Sequence, residues 1–224
     1  MIIAEAGINH NGNLEYAKKL AYEAKESGAD VVKFQTHNLT FDDITRLKDY
    51  SLDKNEWYQL RSYCNDIDIK FMSTPHTFEA IHFLDSMVSI HKIAHTYLGL
   101  SNFLVEVAKK NKPILLSTGS IIHDNGMATI EEIRNALSFI PDADITLLHC
   151  ISKYPCYNPH YERIDELKEL GYKVGLSDHS KTIQVPKGLP VYEKHFMLTD
   201  IPCIDSNVSL NPDEFKEMVK WIKY

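Results

Sequence analysis

Residues 2–37 read IIAEAGINHNGNLEYAKKLAYEAKESGADVVKFQTH, and this stretch decides the fold. It opens on a short apolar run, Ile2 to Ala6, passes through a segment of helical period from about Leu14 to Ser27, and closes on a second apolar run, Val31 to His37. The helical segment sets Leu14, Ala17, Ala21 and Ala24 on one face and leaves Lys18, Lys19 and Glu26 largely off it, the pattern of a helix laid on a sheet. Strand, amphipathic helix and strand in succession predict a parallel crossover unit.

The same alternation continues outward to the end of the chain. Further apolar runs lie at Lys70 to Thr74, Ser89 to Ala94, Pro113 to Thr118, Ile145 to Ser152, Lys173 to Ser177 and Val191 to Leu198, which brings the candidate strands to eight. Helical patterns at Glu56 to Cys64, Phe78 to Met87, Phe103 to Lys110, Ile130 to Phe139, Ile164 to Leu170 and Pro212 to Ile222 fill most of the gaps. Eight strands with intervening helices favour a closed parallel α/β architecture, a TIM (β/α)8 barrel, over an open sheet. The seventh crossover is the exception: Ser180 to Leu189 is too short for a full helix and contains Pro186 and Gly188. His37 to Asn55 reads as a long loop and His123 to Gly126 as an irregular insertion. No repeat, low-complexity tract or linker interrupts the chain, so residues 1–224 are expected to form one domain.

Composition narrows the function class. Hydrophobic residues at 44% and charged residues at 25% exclude a disordered chain. A formal net charge of −7 argues against general nucleic-acid binding, so an anionic ligand must find a local basic pocket. The four cysteines, at 64, 150, 156 and 203, form neither a C-x-x-C pair nor a secreted disulfide framework and read as free thiols. No basic leader follows Met1 and no apolar run approaches a membrane span, which leads to the expectation of a cytoplasmic protein with no membrane partner.

In a barrel of this kind the active site lies where the strands end, and nearly every run here ends in polar side chains. They are Glu5; Lys33 and Gln35; Thr74; Lys92; Ser117 and Thr118; Tyr154 just beyond the sixth run; Ser177, Asp178 and His179; and Glu193 and His195. Lys33 and Lys92 sit inside apolar strands, where an unpaired ammonium is heavily penalised, so each needs an anion. Structural salt bridges, with Glu5 as a partner for one, would satisfy that need; so would a bound phosphate and carboxylate. His179 and His195 fall on neighbouring strands within reach of one divalent cation, although by position alone a satisfied core or surface role is the better reading. His10, His37, His76, His95 and His149 also lie near strand ends and stay open as ligands.

The run Ile-Ala-Glu-Ala-Gly-Ile-Asn-His-Asn-Gly at residues 3–12, followed by Gly28-Ala-Asp-Val-Val-Lys-Phe-Gln-Thr36, resembles the opening of the sialic acid synthases, the phosphoenolpyruvate-dependent enzymes that make N-acetylneuraminate and related nonulosonates. Further similar segments follow in order: Ser73-Thr-Pro75, Lys92-Ile93, Lys112-Pro-Ile-Leu-Leu-Ser-Thr-Gly119, Met127-Ala-Thr-Ile-Glu-Glu-Ile133, Leu147-Leu-His-Cys150, Tyr154-Pro155, Gly175-Leu-Ser-Asp-His179 and Glu193-Lys-His-Phe196. The resemblance implies that Lys33, Thr74, Lys92, Ser117 and Ser177 hold phosphoenolpyruvate. It implies that His179 and His195 hold the metal, Mn²⁺ first with Mg²⁺ or Co²⁺ as alternatives, and that Glu5, Gln35, Tyr154 and Asp205 lie near the sugar. Glu5, Lys33, Lys92 and Tyr154 are the expected catalytic residues, and phosphoenolpyruvate and an aldose the expected partners.

The implied reaction joins phosphoenolpyruvate C3 to the open-chain aldehyde, adds water at C2 and releases phosphate, giving a 2-keto-3-deoxy sugar acid. Departures concentrate on the sugar side. His95-Thr96-Tyr97 stands where the family has Ser-Gly-Glu, and Ser152 replaces an asparagine. The loop after the second strand carries no recognisable sugar-contacting asparagine. The family's antifreeze-like C-terminal domain is expected to be absent, since the sequence stops at Tyr224, which leaves a homodimer or a separately encoded second domain as the expected protein partner. An altered acceptor follows from these changes, and so does the alternative of a degenerate barrel that binds phosphoenolpyruvate or a sugar phosphate as a subunit or sensor.

Overall fold

The computed structural model describes residues 1–37 and 50–224, and over them each expected strand forms. The elements run β1 (Ile2–Gly7), α1 (Leu14–Glu26), β2 (Val31–Thr36), α2 (Lys54–Asp66), β3 (Lys70–Pro75), α3 (Phe78–Asp85), β4 (His91–Ile93), α4 (Ser101–Ala108), β5 (Ile114–Ser117), α5 (Ile130–Ser138), β6 (Ile145–Cys150), α6 (Arg163–Lys168), β7 (Lys173–Asp178), β8 (Tyr192–His195) and α7 (Pro212–Lys223). Residues 38–49 of the expected long loop lie outside the described residues, and with them the question of its asparagine. A short 3-10 turn at His95–Tyr97, which periodicity does not announce, follows β4.

Most of the helices start at side-chain caps. Asn13 caps α1 by accepting from the Tyr16 amide. Asp53 with Glu56, Thr129 with Glu132, and Asn211 with Glu214 form reciprocal capping boxes at α2, α5 and α7. The strands pair in parallel in the order β3-β2-β1-β8-β7-β6-β5-β4, a barrel succession with β3 and β4 packed side by side but without a hydrogen-bonded ladder between them. Among the described residues no helix is long and apolar enough to cross a membrane.

Alternation along each strand builds the barrel interior in storeys. Ile3, Val31, Met72, Leu115, Leu148 and Val191, joined by Ile90, form an apolar floor inside the ring. Two residues further along the same strands come Glu5, Lys33, Thr74, Ser117, Cys150, Glu193 and Lys92, every one buried. The odd member is Gly175 on β7: a Cβ there would lie 2.7 Å from the Val191 carbonyl oxygen and 2.9 Å from Leu148 Cδ2, so the floor leaves space for no side chain. The opposite faces, Ala4, Val32, Phe34 and Phe71 on one side and Ile93, Leu116, Leu147 and Val174 on the other, bury against the helical shell.

The seventh crossover carries no helix, as its length requires, and side chains secure it instead. Lys194, facing outward on β8 and 1% exposed, donates to Asp178 Oδ2 at 2.7 Å and to the Ser180 carbonyl at 2.6 Å. Asp178 also accepts from the Ser180 amide and from Tyr161 Oη, while Trp221 of α7 donates to the Val185 carbonyl at 2.8 Å. Removing one partner of a buried ion pair strands the other without solvation. Lys194→Met is therefore expected to lower the unfolding free energy by about 3–5 kcal/mol, read from the urea midpoint; a loss below about 1 kcal/mol would assign the crossover's stability to its hydroxyl and indole bonds.

Candidate active site

All eleven side chains expected at the site line one cavity of about 240 Å³ at the C-terminal end of the barrel: Glu5, Lys33, Gln35, Thr74, Lys92, Ser117, Tyr154, Ser177, His179, His195 and Asp205. Strand alternation is the reason for nine of them, while Tyr154 and Asp205 come from the segments beyond β6 and β8. The storey above the floor supplies the lysines and hydroxyls, and the next inward positions supply Gln35, His76, His179 and His195.

Lys33 Nζ lies 2.6 Å from Glu5 Oε2, 3.6 Å from Glu193 Oε2 and 3.0 Å from Thr74 Oγ1. Lys92 Nζ donates to Ser117 Oγ at 2.8 Å, with Glu193 Oε1 at 4.0 Å. Ser177 Oγ donates to the same Glu193 oxygen at 2.8 Å, and Gln35 Nε2 donates to Glu5 Oε1 at 3.0 Å. Two ammonium groups thus face two carboxylates. Burial opposes the charge on Lys33, but Glu193 and Glu5 outweigh it and raise its pKa. Burial prevails at Lys92 and lowers it. Burial would raise Glu193 as well, yet Lys33 and Lys92 hold it down to about 2. Glu193 is the residue sequence reasoning listed without a role; its inward position two residues beyond Val191 was the available signal.

The rings of His179 and His195 stand 5.2 Å apart between centroids. His179 Nδ1 donates to the Ile151 carbonyl at 2.6 Å, which leaves Nε2 unprotonated, 3.0 Å from Tyr154 Oη. Burial first, then the neighbouring His195, push the His179 pKa down to about 3, so the ring is a neutral imidazole. His195 Nδ1 faces Asp205 Oδ2 at 3.3 Å, and that carboxylate overcomes the effect of burial and raises the His195 pKa. An imidazole whose second nitrogen is held by a carbonyl or carboxylate is the usual form of a metal ligand, so this pair fits a divalent cation. Among the described residues no group of three or more His, Cys, Asp or Glu side chains is arranged as a metal site.

The other histidines separate by surroundings. His10 packs edge-on against Phe34 and Trp57, and His149 Nε2 bonds the Pro159 carbonyl at 2.7 Å. His76 and His95 line the cavity, and His95 Nε2 meets Ser152 Oγ at 2.8 Å. Tyr97 does not line the cavity; its hydroxyl bonds the His76 carbonyl and its ring stacks on Phe103 at 4.1 Å. Carried on the short 3-10 turn, Tyr97 thus packs against His76 and α4 rather than in the cavity.

Comparison with known proteins bears on the family and the fold. The NeuB family matches residues 20–224. An uncharacterized protein of Methanocaldococcus jannaschii is 39% identical, covering 99% of this chain and 69% of its own length. The N,N'-diacetyllegionaminic acid synthase of Legionella pneumophila is 35% identical over 99% of this chain and 71% of its own. Among solved structures, the N-acetylneuraminic acid synthetase of Leptospira borgpetersenii superposes with a TM-score of 0.89 at 29% identity, covering 99% of this chain and 82% of that one. Ordered strand-end chemistry, the eight-stranded barrel and these matches together establish that the chain belongs to the NeuB family.

Proposed function

We propose that this protein condenses phosphoenolpyruvate with an open-chain aldose to give a 2-keto-3-deoxy sugar acid and phosphate. The observation that carries the reading is the stacking of two lysines and three hydroxyls directly beneath the His179–His195 pair in one cavity. Lys33 and Lys92, with Thr74, Ser117 and Ser177, would take the carboxylate and phosphate of phosphoenolpyruvate through charge-assisted hydrogen bonds. His179 and His195 would hold a divalent cation, Mn²⁺ being the first to test. When bound, such an ion supplies Lewis-acid polarisation of an aldehyde oxygen and a lowered pKa for water.

The remaining side chains orient and exclude. Tyr154 stacks on His179 with ring centroids 4.1 Å apart, which covers one face of that imidazole. Asp205 Oδ2 stands at ion-pair distance, 3.3 Å, from the Nδ1 edge of His195. Glu5 and Glu193 already neutralise Lys33 and Lys92, so an entering anion must share them; this favours a site in which added positive charge accompanies the substrate. Carbon–carbon bond formation uses the enol π electrons of phosphoenolpyruvate C3 on the aldehyde carbon. Water then adds at C2 and phosphate departs, with no acyl intermediate and no nucleophilic side chain required.

The test is phosphate release from phosphoenolpyruvate with Mn²⁺ across a panel of aldoses, with product mass determined. Aldose-dependent release and a product heavier than the aldose by the pyruvate unit are expected. Phosphoenolpyruvate binding without turnover on any aldose would favour a binding subunit instead.

A further inference from the structure

His76 is the inward side chain two residues beyond Thr74, at the level of Gln35, His179 and His195, and it lines the cavity. Its protons can be assigned from its neighbours. Tyr97 Oη has one hydrogen and lies 2.6 Å from the His76 carbonyl oxygen, which can only accept. The phenol proton is thereby committed. The same phenol oxygen is 3.3 Å from His76 Nδ1, a contact that now requires Nδ1 to be the donor. Burial first, then His37, Lys33, Lys92 and His95, hold the His76 pKa well below its ordinary value, so the ring is neutral with one N–H. Nε2 is therefore a bare acceptor.

Among the described residues that acceptor has no hydrogen-bond partner, and it is buried in the cavity wall. His37 stacks on the ring at 3.9 Å and 16°, presenting its face. His37 Nε2 is engaged with Gln35 Oε1 at 3.1 Å, while Gln35 Nε2 is engaged with Glu5. Ionised phosphoenolpyruvate presents oxygen acceptors and no donor, so it cannot satisfy a lone pair. An aldose can, through a hydroxyl or, if it carries an acetamido group, through an amide N–H.

We infer that His76 is a specificity-determining residue whose Nε2 accepts a hydrogen bond from the aldose, and that Tyr97 is a positioning residue which fixes the required tautomer. The inference rests on the condensing reading and names which substrate this wall of the cavity recognises. It also gives Tyr97, turned away from the cavity, an effect on the sugar through His76.

The test compares wild type, His76→Phe, His76→Gln and Tyr97→Phe on matched aldoses with and without a 2-acetamido group and on their deoxy analogues. His76→Phe keeps a ring against His37 but removes the acceptor. It is expected to raise the aldose KM about 10- to 100-fold, the effect of leaving a buried donor unpaired, with the phosphoenolpyruvate KM little changed. His76→Gln, which retains an acceptor, should recover part of the loss, and Tyr97→Phe should move the aldose KM the same way by less. The deoxy or deacetylated analogue that wild type rejects and His76→Phe does not identifies the donor as hydroxyl or amide. Independently of turnover, histidine ¹⁵N spectra should assign the Nδ1–H tautomer to the signal lost in His76→Phe, and Tyr97→Phe should shift it toward Nε2–H. Turnover in wild type with the same aldose KM in His76→Phe, or an Nε2–H tautomer in wild type, overturns the inference while leaving the condensing reading intact. No turnover of any aldose by wild type overturns both, even with the tautomer as assigned.

Discussion

The His179→Ala, His195→Ala double variant is expected to lose phosphate release from phosphoenolpyruvate by on the order of 10³-fold or more, since the several kcal/mol that Lewis-acid stabilisation contributes convert at about 1.4 kcal/mol per tenfold. The two imidazoles are held by different partners, Ile151 carbonyl on one side and Asp205 on the other, so each single variant leaves one ligand oriented and should retain part of the cation affinity. Calorimetric Mn²⁺ titration reads the affinity and circular dichroism the fold. Neither ring belongs to the apolar floor, so the fold should persist. Full phosphate release by the double variant after chelation would remove the cation from the reaction.

Lys33→Met is expected to cost both stability and binding, whereas Lys92→Met should cost mainly binding. Lys33 lies 2.6 Å from Glu5 and 3.6 Å from Glu193, all three buried, and its loss leaves two carboxylates short of a counter-charge. A destabilisation of about 3–5 kcal/mol follows. Lys92 has its nearest carboxylate at 4.0 Å, and Glu193 keeps Lys33 and Ser177 without it, so the loss should be nearer that of one charged hydrogen bond, about 1.5–3 kcal/mol. Pairing Lys33→Met with Glu5→Gln should restore much of the stability without restoring phosphoenolpyruvate affinity. Urea midpoints and calorimetric titration separate the two effects, and equal stability losses in Lys33→Met and Lys92→Met would contradict the asymmetry.

The barrel was legible because its strands are short apolar runs of alternating destination. Val31-Val-Lys-Phe-Gln shows both the outward face, Val32 and Phe34, and the inward one, Val31, Lys33 and Gln35. The same alternation carried the lysines and hydroxyls into one cavity. Long-range pairing was harder to read: that Glu193 would stand between two lysines depends on the closure of β1 on β8, which no local pattern encodes. The direction of Tyr97 was hidden for a different reason. It hangs on a three-residue turn with no periodicity, and its stacking on Phe103 is a contact with the following helix. His76 shows an inward place in the sequence, but its state of protonation follows only from a phenol hydrogen spent elsewhere.

The break in the ladder between β3 and β4 gives the barrel a line along which it can breathe. Parting any other pair of neighbours tears a row of backbone hydrogen bonds. Across this gap, the phenol of Tyr97, beyond β4, grips the carbonyl of His76, beyond β3. Fluctuations concentrate where the fewest cooperative bonds must open, so transient widening of the mouth belongs at this seam. A sugar moving past His76 then meets a wall joined by side-chain contacts rather than by a backbone ladder, while the ladders around the rest of the ring keep the lysines and imidazoles in register.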